Sequence, residues 1–160
     1  SMRCSLQLIN GKNEVQPSVE KFIKLEEEMG FPQNDVFDKY AKKISEGKNY
    51  FMNQINDLTK NNKKIAAYGA SATSTTLIYH YEMGDYLEYI VDDFEVKQGL
   101  YSPGYKIPCY SPEKIYEEMP DYIIVLAWRY YEKIISKHQK YLDQGGKFII
   151  PLPEFKIISK

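Results

Sequence analysis

The rhythm of polar and apolar positions changes once along this chain, near Asn61. Before that point apolar residues recur at helical spacing. Val19, Phe22, Ile23 and Leu25 predict a helix that begins at Ser18 and stops at Gly30-Phe31-Pro32. Val36, Phe37, Tyr40, Ile44, Phe51, Ile55 and Leu58 predict a longer one, capped by Asn34 or Asp35 and running to about Thr59. Gly47 weakens its middle. Ahead of both, Cys4, Leu6 and Leu8 alternate with polar neighbours. This predicts a short strand over residues 3–9, closed by the turn signal Asn10-Gly11.

Beyond Asn61 short apolar runs alternate with helical patterns. Strands are expected at 65–68, 87–91, 121–127 and 147–150, and helices at 73–83, from Ser111-Pro112-Glu113 onward, and at 130–142. Gly84 is placed as the stop of the first of these helices. Residues 92–110 read as a long loop, marked by Ser102-Pro103-Gly104 and Pro108. Gly145-Gly146 turns the chain into its last strand, which Pro151 and Pro153 end. Strands that alternate with helices pair in parallel, and wholly apolar strands such as YIIVLA are covered on both faces. The expected fold is therefore α/β. A three-layer, Rossmann-like, mostly parallel sheet occupies residues 61–160, and an N-terminal strand and helical lead-in occupy 1–60, together forming one compact unit.

Composition narrows the function classes. The 160 residues are 43% hydrophobic and 27% charged, ordinary for a globular domain with a real core. The net charge of −1 leaves no basic surplus for a nucleic-acid backbone. No apolar run approaches the roughly 20 residues that cross a bilayer. The first residues carry no secretory signal, Ser1-Met2 reads as a cloning remnant, and a cytoplasmic location is expected. Cys4 and Cys109 are the only cysteines, at no metal spacing, and are expected to be free thiols. Most of the 15 tyrosines are expected in cores and half-buried surfaces.

Candidate chemistry gathers at the strand ends. In a doubly wound sheet a ligand sits beyond the carboxyl ends of the strands, where strand order reverses. A 2-1-3-4 order of the four expected strands would face the loops 69–74 and 127–130 across that crevice. Gly69-Ala70-Ser71-Ala72-Thr73-Ser74 has the outline of a phosphate-binding turn, yet only Gly69 meets the G-x-G-x-x-G pattern. The standard pose of NAD is therefore disfavoured. What remains is a helix start with free N–H groups among Ser71, Thr73, Ser74, Thr75 and Thr76, which suits an anion or a plain helix cap equally. Asp92 stands near the roughly 20-residue distance from Gly69 of the acid that contacts a ribose in Rossmann folds. A turn at a strand end would place it there too. Trp128-Arg129 ends the third strand. Arg129, one of two arginines, suits a phosphate or carboxylate, or a surface ion pair with Glu132 or Asp93. His80 and His138 lie on helix patterns and are expected to be structural or solvated. No catalytic triad, metal cluster or P-loop spacing is visible, so no catalytic residue is assigned.

Four stretches carry a family resemblance: KKIAAYGASATSTTL (63–77), IVDDFEVKQGLYSPGYKIPCYSPEKI (90–115), DYIIVLAWRYYEKII (121–135) and GGKFIIPLPEF (145–155). In order and spacing they resemble the C-terminal domain of sugar C-methyltransferases, and Ser5-Leu6-Gln7 resembles the segment that opens that region. The resemblance implies a domain excised from a longer enzyme that methylates a ketosugar carried on a nucleoside diphosphate. In such an enzyme a cysteine-rich part binds structural zinc, a middle part binds S-adenosylmethionine and supplies the base, and this part completes the sugar-nucleotide site. This chain would then hold no cofactor itself and would be inactive alone. Its partners would be a nucleoside-diphosphate sugar and the absent methyl-donor domain. Gly69, Ala70, Ser71, Thr73, Ser74, Thr75, Asp92, Trp128 and Arg129 are the expected substrate contacts. Thr73-Ser74 stands where the family often has Lys-Gly, and Arg129 where asparagine is common, which leaves the nucleotide sugar open. A nucleotide-binding or domain-packing module without catalytic function is the alternative.

Overall fold

The computed structural model describes residues 3–31 and 33–160. Ser1, Met2 and Pro32, the last expected as part of a helix stop, lie outside them, as does the side chain of Asn34, expected as a cap. The chain divides into two compact units, Ser1–Lys43 and Ile44–Lys160.

In the first unit α1 spans Pro17–Glu28, with proline in its first turn. It buries none of its residues, and Val19, Phe22, Ile23 and Leu25 are about half exposed. The strand expected over residues 3–9 does not form: Leu6, Leu8 and Ile9 lie almost fully exposed and pair with no strand. The turn signal is met locally. The Gly11 N–H bonds the Leu8 carbonyl at 2.8 Å, and the Gln7 amide exchanges two hydrogen bonds with the Asn13 backbone. Alternation over a few residues cannot make a strand without a ladder to join.

Helix α2 spans Asn34–Lys60. Its second half supplies Phe51 and Ile55 to the core of the sheet unit, at 1% and 0% exposure. The sheet is built from β1 (Ile65–Tyr68), β2 (Ile90–Val91), β3 (Cys109–Tyr110), β4 (Tyr122–Val125), β5 (Lys147–Ile150) and β6 (Lys156–Ile158). Their order is β3-β2-β1-β4-β5-β6, parallel except for the antiparallel β5–β6 pair. The expected 2-1-3-4 order is present as β2-β1-β4-β5, with one further strand at each edge. This is the doubly wound order, whose switch point lies between β1 and β4.

Strand parity sorts the side chains into two cores. Ile65, Ala67, Ile124 and Ile149 face Phe51, Ile55 and the residues Leu77, Ile78 and Tyr81 of α3 (Ala72–Tyr81). Ala66, Ile123, Val125, Phe148 and Ile150 face Ile115 of α4 (Lys114–Glu118), Ile134 of α5 (Tyr131–Lys137), and Tyr141 and Leu142 of α6 (Gln139–Asp143). The result is three layers, each face of the sheet covered by helices, as its uniformly apolar strands require.

The sheet unit departs from sequence expectation at several points. Helix α3 ends at Glu82, which takes the left-handed conformation, and not at Gly84. Gly84 is needed for another reason: a Cβ there would run into the ring of Tyr105. The loop 92–110 contains a 3-10 turn at Glu95–Lys97, a bridge between Tyr101 and Pro108, and the edge strand β3. Beyond Pro151 the chain returns as β6. The single helix expected over 130–142 is broken at His138 into α5 and α6.

That break follows from a buried polar chain. His138 is 3% exposed, and its ring nitrogens lie 2.9 Å from the Tyr116 hydroxyl (Nδ1) and 3.2 Å from the Tyr68 hydroxyl (Nε2). Tyr68 donates to Asp93 Oδ2 at 2.8 Å, and Lys137 pairs with the other oxygen of Asp93. With the Tyr68 proton spent on Asp93, Nε2–H donates to Tyr68, and a ring kept neutral by its burial accepts at Nδ1 from Tyr116. Burial pushes the Asp93 carboxyl up, but the hydrogen bonds from Lys137 and Tyr68 and the Lys137 charge outweigh it and hold it below its ordinary value. Burial, with the Lys137 charge, also holds His138 below its ordinary value, against the opposing pull of Asp93 and Glu113. Burial first, then the Asp93 hydrogen bond, raises Tyr68 far above the ordinary phenol range.

Two outcomes test this architecture. Phe51→Ala should lower unfolding free energy by about 3–5 kcal/mol, whereas Phe37→Ala, at an exposed position of α2, should change it by no more than about 0.5 kcal/mol; urea titration separates them. Because His138 titrates lower when folded than when unfolded, the unfolded chain takes up a proton the folded one refuses as pH falls below about 6.5. The melting temperature should therefore drop between about pH 7 and pH 5, and His138→Gln should flatten that drop.

Candidate functional site

Strand β1 ends in Tyr68, and the chain must reverse at once to begin α3. Gly69 makes that turn at φ +102°, a conformation a side chain resists. It also lies against the loop after β4: a Cβ on Gly69 would stand 2.7 Å from Cβ of Ala127. The Ala127 N–H bonds the Tyr68 carbonyl at 3.2 Å. At the switch point, then, the two facing loops touch, and the opening lies on the other side of the turn.

There a cleft of about 230 Å³ separates the start of α3 from the segment after β2. Ala70, Ser71, Ala72, Ser74, Thr75 and Ile78 form one wall. Lys97, Leu100, Tyr101, Ser102 and Pro103 form the other, with Ile90 and Cys109 among the lining residues. The second wall is shaped by the Tyr101–Pro108 bridge and by the Ile107 N–H bonding Ser102 Oγ at 3.0 Å. Gly104 takes φ +75°, a conformation a side chain resists, with the Tyr79 hydroxyl lying against it. The Tyr79 and Tyr105 rings meet at 5.0 Å.

Ser71 is the N-cap of α3. Its Oγ accepts from the Ser74 N–H at 3.2 Å and lies 2.9 Å from the hydroxyls of both Thr73 and Ser74. The N–H groups of Ala72 and Thr73 find no acceptor among the described residues, as the first turn of a helix leaves them. Asp92 directly follows β2 and faces the same turn with its side chain 12% exposed. Its Oδ2 accepts from the Ala70 N–H at 2.6 Å and from Lys97 Nζ at 3.0 Å, and its Oδ1 accepts from the Phe94 N–H at 2.9 Å. Gln98 donates to its carbonyl at 3.0 Å. Burial, then the Asp92 charge, raises the Cys109 thiol above its ordinary value against the pull of Lys97, so it stays protonated and is a poor nucleophile.

Of the residues expected from sequence, Ala70, Ser71, Ser74 and Thr75 come together on one wall of the cleft. Gly69 and Thr73 flank it: the first shapes the turn, and the second bonds Ser71. Asp92 reaches the turn through the Ala70 amide, the position at which a bound anion would compete with it. Trp128 and Arg129 do not line the cleft. Trp128 is partly buried and packs against both cores, and Arg129 is exposed, its guanidinium 5.1 Å from the Trp128 ring. Asp93, one of the partners considered for Arg129, pairs with Lys137 instead. Sequence reasoning missed Lys97 and the wall 100–103. Their signal was a Gly- and Pro-marked loop, and a two-residue strand such as β3 has no period to detect. Among the described residues no helix is long and apolar enough to cross a membrane, and no cluster of His, Cys, Asp or Glu could hold a metal ion.

Comparison with known proteins locates the chain further. Residues 1–153 match the model of the C-methyltransferase C-terminal domain. The C-methyltransferase NovU of Streptomyces niveus is 30% identical over 148 residues, which are 92% of this chain and 35% of that protein. The chain thus spans about a third of the length of that relative. A solved structure, UDP-D-quinovosamine 4-dehydrogenase from Vibrio fischeri, is similar with a TM-score of 0.44 and 16% identity, covering 61% of this chain and 93% of that one.

If Gly69 is required by turn and contact together, Gly69→Ala should destabilise the sheet unit by about 1–3 kcal/mol, measured by chemical denaturation.

Proposed function

This chain belongs to the C-methyltransferase C-terminal domain family, and we propose that it is the substrate-binding domain of an S-adenosylmethionine-dependent methyltransferase acting on a nucleotide-linked sugar. The observation that carries the reading is the cleft itself: a hydroxyl-lined wall at the start of α3, where the Ala72 amide is open and that of the flanking Thr73 is too, at the carboxyl ends of β1 and β2. Amides at the positive end of a helix dipole favour a phosphate, and Ser71, Ser74 and Thr75 offer hydroxyls to phosphate or sugar. A volume of about 230 Å³ lies below the roughly 300–1,000 Å³ of sites that enclose a whole ligand, which suits a domain holding one part of its substrate.

In this reading the chain contributes position. Holding two reactants in line lowers a barrier by roughly 7–11 kcal/mol in well-oriented cases, with no proton acceptor needed from the positioning domain. S-adenosylmethionine and structural zinc belong, in this proposal, to other parts of the parent protein, and the isolated chain transfers no methyl group. One feature favours a second reading, a domain-packing module: Phe94, Val96, Leu100 and Tyr101 on the segment after β2 are all more than half exposed.

Calorimetric titration with a panel of nucleoside-diphosphate sugars decides between them. The first reading expects saturable binding that weakens in Ser71→Ala and a raised melting temperature at saturation. No heat together with no melting shift for every sugar nucleotide leaves only the packing role.

A further inference from the structure

Among the described residues Lys97 is the only charged side chain lining the cleft, and the first turn of α3, Ala72-Thr73-Ser74-Thr75, carries no basic residue. We infer that Lys97 contacts the phosphate of the bound ligand, sharing its ammonium between that phosphate and Asp92; the inference rests on the proposed function above.

The wall on which Lys97 stands is already secured without it. The Phe94 N–H and the Gln98 amide both bond Asp92, and the backbones of Gly99, Leu100 and Cys109 exchange hydrogen bonds of 2.8 Å. The Lys97–Asp92 pair adds a contact between two groups whose neighbours are otherwise satisfied, and the Lys97 side chain remains 35% exposed. Asp92 would keep two amide donors, from Ala70 and Phe94, if Lys97 turned part of its ammonium elsewhere. An ammonium carries three donors and can serve a carboxylate and a phosphate at once.

Charge gives the second reason. Asp92 brings a negative charge within 2.6 Å of the Ala70 amide, at the edge of the turn that a diphosphate would approach. A diphosphate lodged by Ser71 and the open amides of Ala72 and Thr73 would meet that charge at short range. Lys97, across the cleft and paired with the offending oxygen, is the cation placed to offset it. The ring of Phe94, 5.7 Å from the ammonium, further favours a cation there. The site should therefore select diphosphates over uncharged nucleosides or free sugars, and that selectivity should reside in Lys97.

The test is ligand-observed NMR on the chain with UDP, GDP, CDP, ADP and thymidine diphosphate, each beside its nucleoside. The diphosphate that binds should do so more tightly than its nucleoside and weaken as salt is raised. Lys97→Met should lose about ten- to a hundred-fold in affinity for it and lose the salt dependence, and Lys97→Arg should restore part of both. Wild-type affinity and salt response in Lys97→Met would reduce Lys97 to a partner of Asp92, with the proposed function intact. If Lys97→Met fails to fold, the Lys97 ammonium resonance in the wild-type chain decides, since a position unmoved by saturating diphosphate overturns the assignment. Absence of binding by all five diphosphates removes the proposed function and this inference together.

Discussion

The Asp92 carboxylate holds the site together. It stands at the end of β2 and accepts from the turn after β1, through Ala70, and from the segment that follows it, through Phe94 and Lys97. A carboxylate buried to this degree is costly unless each oxygen is satisfied, and here each has at least one donor. The same bonds therefore stabilise the group and set the distance between the walls of the cleft. Neighbouring Asp93 does the corresponding work on the other face of the sheet, accepting from Tyr68 and Lys137. Two consecutive acids thus tie the end of β1 to both helical layers.

The switch point of the sheet has an unusual consequence in this chain. A doubly wound order opens a crevice where the strands diverge, and ligands commonly enter there. Gly69 and Ala127 approach so closely that the gap between their loops is closed. The available opening moves to the β2 side, under the wall held by Asp92. Trp128 and Arg129, on the β4 side, are left to pack on the cores and on each other. The glycine at 69 serves this closure; the missing glycines at 71 and 74 are filled by hydroxyls that cap α3 and line the cleft.

The cleft is lined by hydroxyls, with Lys97 paired to the Asp92 carboxylate at its edge. Cys109 is protonated within it, and His138 is neutral and buried on the opposite face, engaged with two tyrosines. The relative from Streptomyces niveus is about three times as long as the matched region.

Much of the fold was legible because periodicity is local. Ile65–Tyr68 and Lys147–Ile150 were placed by apolar runs between turn signals, and the long α2 by its stripe. The parallel order followed from alternation of strands and helices. The hydroxyl-rich start of α3 and the acid at position 92 stood out in the sequence for the same reason, since both follow strands. What the sequence could not decide depended on contacts between residues far apart in the chain. His138 breaks a helix whose local pattern is continuous, because Tyr68 and Tyr116 hold its ring. β3 and β6 exist because neighbouring strands offer them ladders, and the stretch over residues 3–9 fails for want of one. Lys97 reached the cleft through Asp92, and the opening chose its side of the turn through a single contact between Gly69 and Ala127. Alternation and spacing specify which face of an element is apolar; only packing specifies what that face meets.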